Sequence, residues 1–162
     1  MTIDLHRYAI IVPTPLPGGY RLGVIMDAQG VTRLDLLSRD TPLHRGGKPF
    51  ERQVEDRLAH YFQNPTAIED IPLHPTGTPY QIRVWQALRQ IPVGTTSRYG
   101  ELAGTLATSP RAVAAACRAN PIPILIPCHR VVAKEGLGGY MGATTGEAVM
   151  IKQWLLHHEG AR

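Results

Sequence analysis

The sequence predicts a mixed α/β (α+β) chain built as two lobes, a small N-terminal antiparallel β-sheet with one helix and a mostly helical C-terminal lobe. Three observations carry this. Short runs rich in β-branched and aliphatic residues crowd the chain up to Leu37, apolar residues at helical spacing take over from Phe50, and a proline-rich stretch at Ile71 to Gly77 interrupts the pattern. With 162 residues, 43% of them hydrophobic, the chain can bury a core as one compact unit or two small lobes.

Strands are expected at about His6 to Val12, Tyr20 to Met26 and Val31 to Leu37. The last two are joined by Asp27-Ala28-Gln29-Gly30, a turn sequence of hairpin type, so a short antiparallel meander follows. Phe50, Val54, Leu58 and Tyr61 then recur at the spacing of an amphipathic helix packed on one face of that sheet. His6, His44, His60 and His74 are scattered and read as surface or packing residues.

Ile71-Pro72-Leu73-His74-Pro75-Thr76-Gly77 reads as a linker, dividing the chain into lobes 1–74 and 75–162. Thr78-Pro79-Tyr80-Gln81 is a capping box with proline at the first helical position, and Val84, Leu88 and Ile91 form the buried stripe of a helix that Pro92 stops. Two shorter helices are expected at Tyr99 to Ala107 and Pro110 to Ala119, the second opened by Ser109 as N-cap and closed before Asn120-Pro121. The short break between them predicts a helix-turn-helix.

Composition narrows the function classes. Met1-Thr2-Ile3-Asp4 has no basic segment leading into an apolar run, and the most apolar window, Ile122 to Ile126, is far too short to span a bilayer, so a soluble, non-secreted protein with no membrane partner is expected. Cys117 and Cys128 lack the close Cys or His companions of a structural zinc site and are expected as free thiols in a reducing cytoplasm. Net charge is −1 over residues 1–75 and +5 over 76–162, which makes the second lobe the candidate for a polyanionic partner. Ordinary surface solvation produces such imbalances too, so a local motif has to decide.

Ala112, Ala114, Ala115 and Ala116 make the last of these helices a slim rod that lets a partner approach closely. Backbone N–H groups at its start suit phosphate, and Arg111 in the first turn suits a DNA groove; the alternative is that alanine is simply the best helix former. The sharpest signal follows at Asn120-Pro121-Ile122-Pro123-Ile124-Leu125-Ile126-Pro127-Cys128-His129-Arg130-Val131-Val132. Its apolar half reads as a buried segment delivering the thiol to the floor of a pocket, where burial raises the thiol pKa and reactivity requires a base. His129 is the obvious one. In extended chain, however, adjacent side chains point to opposite faces, so a water is expected to bridge Cys128 and His129.

Pro127-Cys128-His129-Arg130-Val131-Val132, with Asn120-Pro121 upstream, Tyr99-Gly100-Glu101-Leu102-Ala103 before it, Gly139-Tyr140 after it and Lys152 to Gly160 at the end, resembles the O6-alkylguanine-DNA alkyltransferases, also called methylated-DNA-protein-cysteine methyltransferases. The likeness is specific from about Pro79 to Gly160 and rests in the first lobe only on length and β-β-β-α order. It implies an RNase H-like first lobe and a winged-helix-like second one. It also implies repair of O6-alkylguanine, and of O4-alkylthymine, in duplex DNA by a cofactor-free monomer. Cys128 would accept the alkyl group, with His129 as base through a water and Glu159 orienting the imidazole. Asn120 would brace the active-site segment, and Tyr99 would press on a phosphate and protonate the leaving guanine. Arg111 would fill the stack left by the flipped base. In the family the alanine helix enters the minor groove, which would put Ala112 and Ala115 against DNA with Arg98 and Arg118 as further contacts. Val131, Tyr140, Met141 and Pro123 would line the pocket. The thioether product offers water no activated carbonyl, so one turnover per molecule is expected.

Some residues depart from the family pattern. Met141 stands where a serine is common, Gly142 to Val149 is longer than usual, the turn before Arg111 is shorter than in many members, and Arg98 replaces a small hydroxyl residue. The first lobe has no cysteine, so the zinc bound by some members is not expected. Gly136 to Gly142 lacks the strand and helix of a nucleotide-binding loop and reads as a flexible pocket lid. Cys117, Trp85 and Trp154 read as packing residues. Two alternatives stand beside this reading. One is a non-catalytic relative that binds alkylated DNA and recruits other factors, in which the acceptor cysteine is replaced. The other is a Cys-His hydrolase, which would leave the alanine helix with Arg111 unexplained.

Overall fold

The hairpin signal at Asp27 organises the first sheet. In the computed structural model, which describes residues 2–161, Asp27 faces Gly30 and Met26 faces Val31, leaving Ala28 and Gln29 as the loop. The Asp27 carboxylate accepts from the backbone N–H groups of Gln29 (2.8 Å) and Gly30 (3.1 Å), which closes the turn. Strands β1 (Ile10–Val12), β2 (Arg21–Asp27) and β3 (Gly30–Leu37) form one antiparallel sheet in that order. The first strand is shorter than expected. Leu5–Arg7 is a 3-10 turn whose N-cap, Asp4, accepts from the His6 N–H, so extended pairing starts only at Ile10.

Helix α1 (Pro49–Tyr61) buries Val54, Leu58 and Tyr61, the stripe its spacing predicts. With Ile10, Leu22, Val24, Val31 and Leu34 these residues make the buried interior of this part of the chain. The proline-rich segment is less a free linker than expected. Val31 donates to the Pro72 carbonyl (3.0 Å) and accepts from the His74 N–H (2.7 Å), so Leu73 bridges the edge of β3, and the His74 ring meets Asp27 at 2.6 Å. The chain divides into two units, Met1–Pro75 and Thr76–Arg162.

In the second unit the capping box closes in both directions: Thr78 Oγ1 accepts from the Gln81 N–H (3.1 Å) and Gln81 Oε1 from the Thr78 N–H (2.9 Å). Helix α2 (Pro79–Arg89) buries Val84, Trp85 and Leu88. It anchors the next two helices through three polar contacts. Trp85 Nε1 donates to the Ala116 carbonyl (2.9 Å), Arg83 donates to the Leu106 carbonyl (3.1 Å), and the Tyr80 hydroxyl meets the Thr108 hydroxyl at 3.1 Å. Helix α3 spans Tyr99–Thr105 and stops before Ala107, whose φ of 55° turns the chain. Helix α4 (Pro110–Arg118) starts where Ser109 Oγ caps the Ala112 N–H at 3.2 Å. Val113 and Ala116 face inward, whereas Arg111, Ala115 and Arg118 are exposed and Ala112 is half-buried.

Two-residue strands β4 (Ser97–Arg98) and β5 (Val131–Val132) pair in parallel, Ser97 with Val131 and Arg98 with Val132. This brings the start of α3, Tyr99, alongside the chain leaving the Pro127-Cys128-His129-Arg130 segment. Helix α5 (Glu147–His158) ends the unit with Glu159 at its C-cap. Trp85 is buried, and Trp154 is half-buried and stacks on His158 with ring centroids 4.9 Å apart. Among the described residues no helix is long and apolar enough to cross a membrane.

Candidate active site

The segment preceding the thiol is folded back rather than extended. The Ile126 N–H donates to the Ile122 carbonyl (2.8 Å), Pro123 bridges Ile126, and Ile124 sits at φ 75°. Positive φ is costly for a β-branched residue, on the order of 1–3 kcal/mol, and persists only where the surroundings over-determine it. Asn120 supplies that determination. Its Oδ1 accepts from the Ile122 N–H (2.9 Å), while Nδ2 donates to the Ile126 carbonyl (2.9 Å) and to Cys128 Sγ (3.2 Å). One amide therefore staples both ends of the turn and points an N–H at the sulfur.

Cys128–Arg130 is a 3-10 turn, not extended chain, so these side chains fan out around an axis instead of alternating between two faces. Among the described residues no hydrogen bond joins Cys128 to His129, and His129 Nδ1 is buried without a partner. The other ring nitrogen, Nε2, lies 2.9 Å from Glu159 Oε2. Arg130 grips the same carboxylate through Nε to Oε1 (2.8 Å) and NH2 to Oε2 (3.1 Å), and its NH1 donates to the Ile91 carbonyl (2.7 Å).

These contacts set the charge states. Burial alone would raise the Glu159 pKa, but hydrogen bonds from His129 and Arg130 overcome it and hold the carboxyl down at about 2. Burial pushes the His129 pKa down, and Glu159 only partly restores it, so the ring is neutral. An ionised Glu159 can only accept, so Nε2 carries the ring proton and Nδ1 is left as a base. Burial raises the Cys128 thiol above its ordinary value, against the Asn120 hydrogen bond and the charge of Lys152, which favour the thiolate.

Cys128 opens onto a cavity of about 220 Å³ lined by Tyr99, Ala114, Cys117, Arg118 and the loop Gly139, Tyr140, Met141, Gly142, Ala143 and Thr144. Cavities for drug-sized ligands run from about 300 Å³ upward, so this one suits a smaller group. Its loop wall is closed by a tight turn. Tyr140 and Ala143 exchange backbone hydrogen bonds at 2.8 and 2.9 Å across Met141 (φ 51°) and Gly142 (φ 83°), the doubly left-handed pattern of a type I′ turn. Glycine suits that pattern and methionine does not. Met141 nevertheless holds it, 44% exposed at the rim.

The structure thus brings Cys128, Tyr99, Tyr140, Met141 and Arg118 to one cavity, with Asn120 hydrogen-bonded to the sulfur and the next residue of the turn, His129, bonded to Glu159. Two expected wall residues are elsewhere. Val131 is fully buried with its carbonyl bonded to Lys152, and Pro123 is buried in the turn before the thiol. Arg98 and Arg111 are exposed and off the cavity wall. Cys117, expected as packing, lines the cavity, and its thiol is pushed up to about 12 by burial and by the neighbouring Cys128. The glycine-rich loop, expected as a flexible pocket lid, forms part of the cavity wall, where Lys152 donates to its Leu137 and Gly139 carbonyls and Tyr140 pairs with Ala143. Sequence reasoning passed over Arg130 and Lys152. The available signal was their place: both are charged residues in buried stretches, Lys152 within the α5 stripe Ile151, Leu155, Leu156.

Residues 79–161 match the family model of the 6-O-methylguanine DNA methyltransferase DNA binding domain. The methylated-DNA–protein-cysteine methyltransferase of Salmonella typhimurium is 48% identical over 111 residues, which cover 66% of this chain and 62% of that protein. The Shigella flexneri protein of the same name is 44% identical over 134 residues, covering 80% of this chain and 75% of its own. A crystal structure of Mycobacterium tuberculosis OGT in complex with DNA superposes with a TM-score of 0.69 at 32% identity, covering 92% of each chain. The O6-methylguanine-DNA methyltransferase of Pyrococcus kodakaraensis superposes with a TM-score of 0.72 at 25% identity, over 93% of this chain and 98% of that one. Built around a cysteine held in this way, the chain belongs to the family of methylated-DNA–protein-cysteine methyltransferases.

Proposed function

We propose that this protein repairs alkylated DNA by moving the alkyl group of O6-alkylguanine, and of O4-alkylthymine, onto Cys128 in a single turnover. The observation that carries this is a cavity-lining sulfur that accepts a hydrogen bond from Asn120 and is followed in its 3-10 turn by a neutral imidazole, whose Nδ1 is unprotonated and whose Nε2 is bound to an ionised carboxylate. The Cys128 proton passes to His129 Nδ1 through one water, and Glu159 stabilises the imidazolium that results. The thiolate then attacks the saturated alkyl carbon in line. A C–S bond forms, the C–O bond breaks, and its electron pair leaves on the purine. Tyr99 keeps its hydroxyl proton in this environment, because burial raises its pKa to about 12, and it donates that proton to the departing guanine. The products are a thioether and an unmodified base.

The lesion reaches the cavity by rotating out of the duplex, a step that costs a few kcal/mol. Helix α4 lies in the minor groove, where Ala112 and Ala115 permit close approach, Arg111 fills the vacated stack, and Arg98 and Arg118 meet phosphates. Tyr140 and the Met141 N–H hold the base edge. The three-stranded sheet with α1 supports an RNase H-like first unit, and the α3–α4 helix-turn-helix supports a winged-helix-like second unit. The protein acts as a cytoplasmic monomer. The test is to incubate it with duplex DNA carrying one O6-methylguanine and then weigh it. One methyl group on the Cys128 peptide, equimolar with repaired guanine, is expected. Transfer that survives Cys128→Ala, or product exceeding enzyme, sinks the proposal.

A further inference from the structure

Lys152 is fully buried, and its ammonium donates to the carbonyls of Val131 (2.7 Å), Leu137 (2.7 Å) and Gly139 (2.9 Å). An ammonium has three donors, so every one is committed to main chain and none to a carboxylate. Burying an uncompensated cation is costly, and a methionine of similar length would fill the space at lower cost to stability. The three carbonyls belong to the strand leaving the Cys128 turn and to the loop that carries Tyr140 and Met141 into the cavity wall. The ammonium also lies 5.9 Å from the centre of the Tyr99 ring.

Around Lys152 stand Cys128 and His129 from the turn, Cys117 from α4 and Tyr99 from α3, and Tyr140 follows the tethered Gly139 on the loop. Arg130 and Glu159 are committed to each other, and Lys134 and Glu135 on the loop are exposed. Among the described residues, the negative charge that acts on Lys152 is that of the Cys128 and Cys117 thiolates. We propose that Lys152 is a positioning residue of alkyl transfer: its buried ammonium gathers the loop around the extrahelical base and supplies the positive charge that favours an ionised Cys128 sulfur. The inference rests on the reading of Cys128 as the alkyl acceptor. Burial lowers the Lys152 pKa to about 8, with the two thiols opposing that shift, so the ammonium discharges as pH rises through that value. Transfer should consequently climb with pH up to about 8 and then level off, because the thiolate gained above that pH is offset by loss of the ammonium that holds the loop and supplies the charge.

The experiment follows two reactions of the full-length protein across pH, methyl transfer from duplex DNA and alkylation of Cys128 by iodoacetamide, each read from the mass of the Cys128 peptide. In Lys152→Met the acid limb of the iodoacetamide reaction should move up by about one pH unit, a tenfold slowing at pH 7. The levelling of methyl transfer above about pH 8 should vanish. Lys152→Arg keeps the charge but cannot present three donors to the same carbonyls, so it should restore the acid limb and leave methyl transfer slow. An acid limb unchanged in a folded Lys152→Met protein overturns the inference. Should that variant not fold, the wild-type protein gives a second reading: its iodoacetamide rate should rise less steeply than a single ionising thiol as pH passes about 8, where the ammonium discharges, and a rate that follows one ionisation throughout overturns the proposal. Neither iodoacetamide reading needs DNA, so failure of methyl transfer in the wild-type protein would count against the proposed function alone.

Discussion

The two units bury different kinds of residue. Among the described residues of the first unit the buried side chains are apolar apart from Thr41, and the ion pairs Arg33–Asp35, Arg45–Glu55 and Arg57–Asp70 each have a partner well exposed to solvent. In Thr76–Arg162 the interior holds His129, Arg130, Lys152 and Glu159. Exposed pairs contribute about 0–1 kcal/mol, so the first unit rests on apolar burial. Charges taken out of water cost several kcal/mol each unless every donor and acceptor is matched, and in the second unit nearly all are matched. Among the described residues the exception is His129 Nδ1, the base in the proposed transfer. The contrast shows a fold giving up stability in one unit to hold charged groups beside a thiol.

The contrast is most sharply tested at its most buried charge. Glu159→Gln leaves Arg130 buried without its counter-ion, which should cost about 3–5 kcal/mol in denaturant unfolding. It should also slow transfer by about 100-fold or more, because His129 loses the ionised acceptor that fixes its tautomer. A variant of unchanged stability would break the comparison. In the first unit Leu22, fully buried in the sheet, should cost about 2–5 kcal/mol on replacement by alanine. The pH profile of Cys128 alkylation should not move in that folded variant; a shifted profile would show that the first unit also shapes the site.

Acid should separate the units too. Below about pH 6.5 an unfolded histidine binds a proton that buried His129 refuses, so the second unit loses stability as pH falls. The contribution of Glu159 is complete above its ordinary value near 4.5 and is lost as pH falls toward about 2. Trp85 and Trp154 both lie in the second unit, so acid unfolding followed by tryptophan fluorescence reads that unit, and a flat stability between pH 7 and pH 5 would contradict the charge states assigned here. A smaller loss, about 1–3 kcal/mol with slower iodoacetamide alkylation, is expected for Asn120→Ala, which unstaples the turn and leaves the sulfur without its donor. Smallest of all is Met141→Gly. It removes the left-handed strain at the rim and should raise stability by up to about 1 kcal/mol while widening the range of alkyl groups transferred.

What the sequence determined by itself was local. The hairpin at Asp27 to Gly30, the capping box at Thr78 to Gln81, the Ser109 cap and the apolar stripes of α1 and α2 involve residues a few positions apart, so linear order displays the partners directly. The Pro127-Cys128-His129-Arg130 motif was legible for the same reason. Folding decided the rest. The 3-10 turn at Cys128, the β4–β5 pairing that sets Tyr99 beside it, and the presence of Cys117 rather than Val131 or Pro123 on the cavity wall all depend on segments distant in sequence. So do the reach of Arg130 to Glu159, 29 residues on, and of Lys152 back to Val131, 21 residues earlier. Whether a lysine is a solvated surface charge or a buried ammonium depends on the local dielectric and on which carbonyls surround it, and only the packed chain creates both.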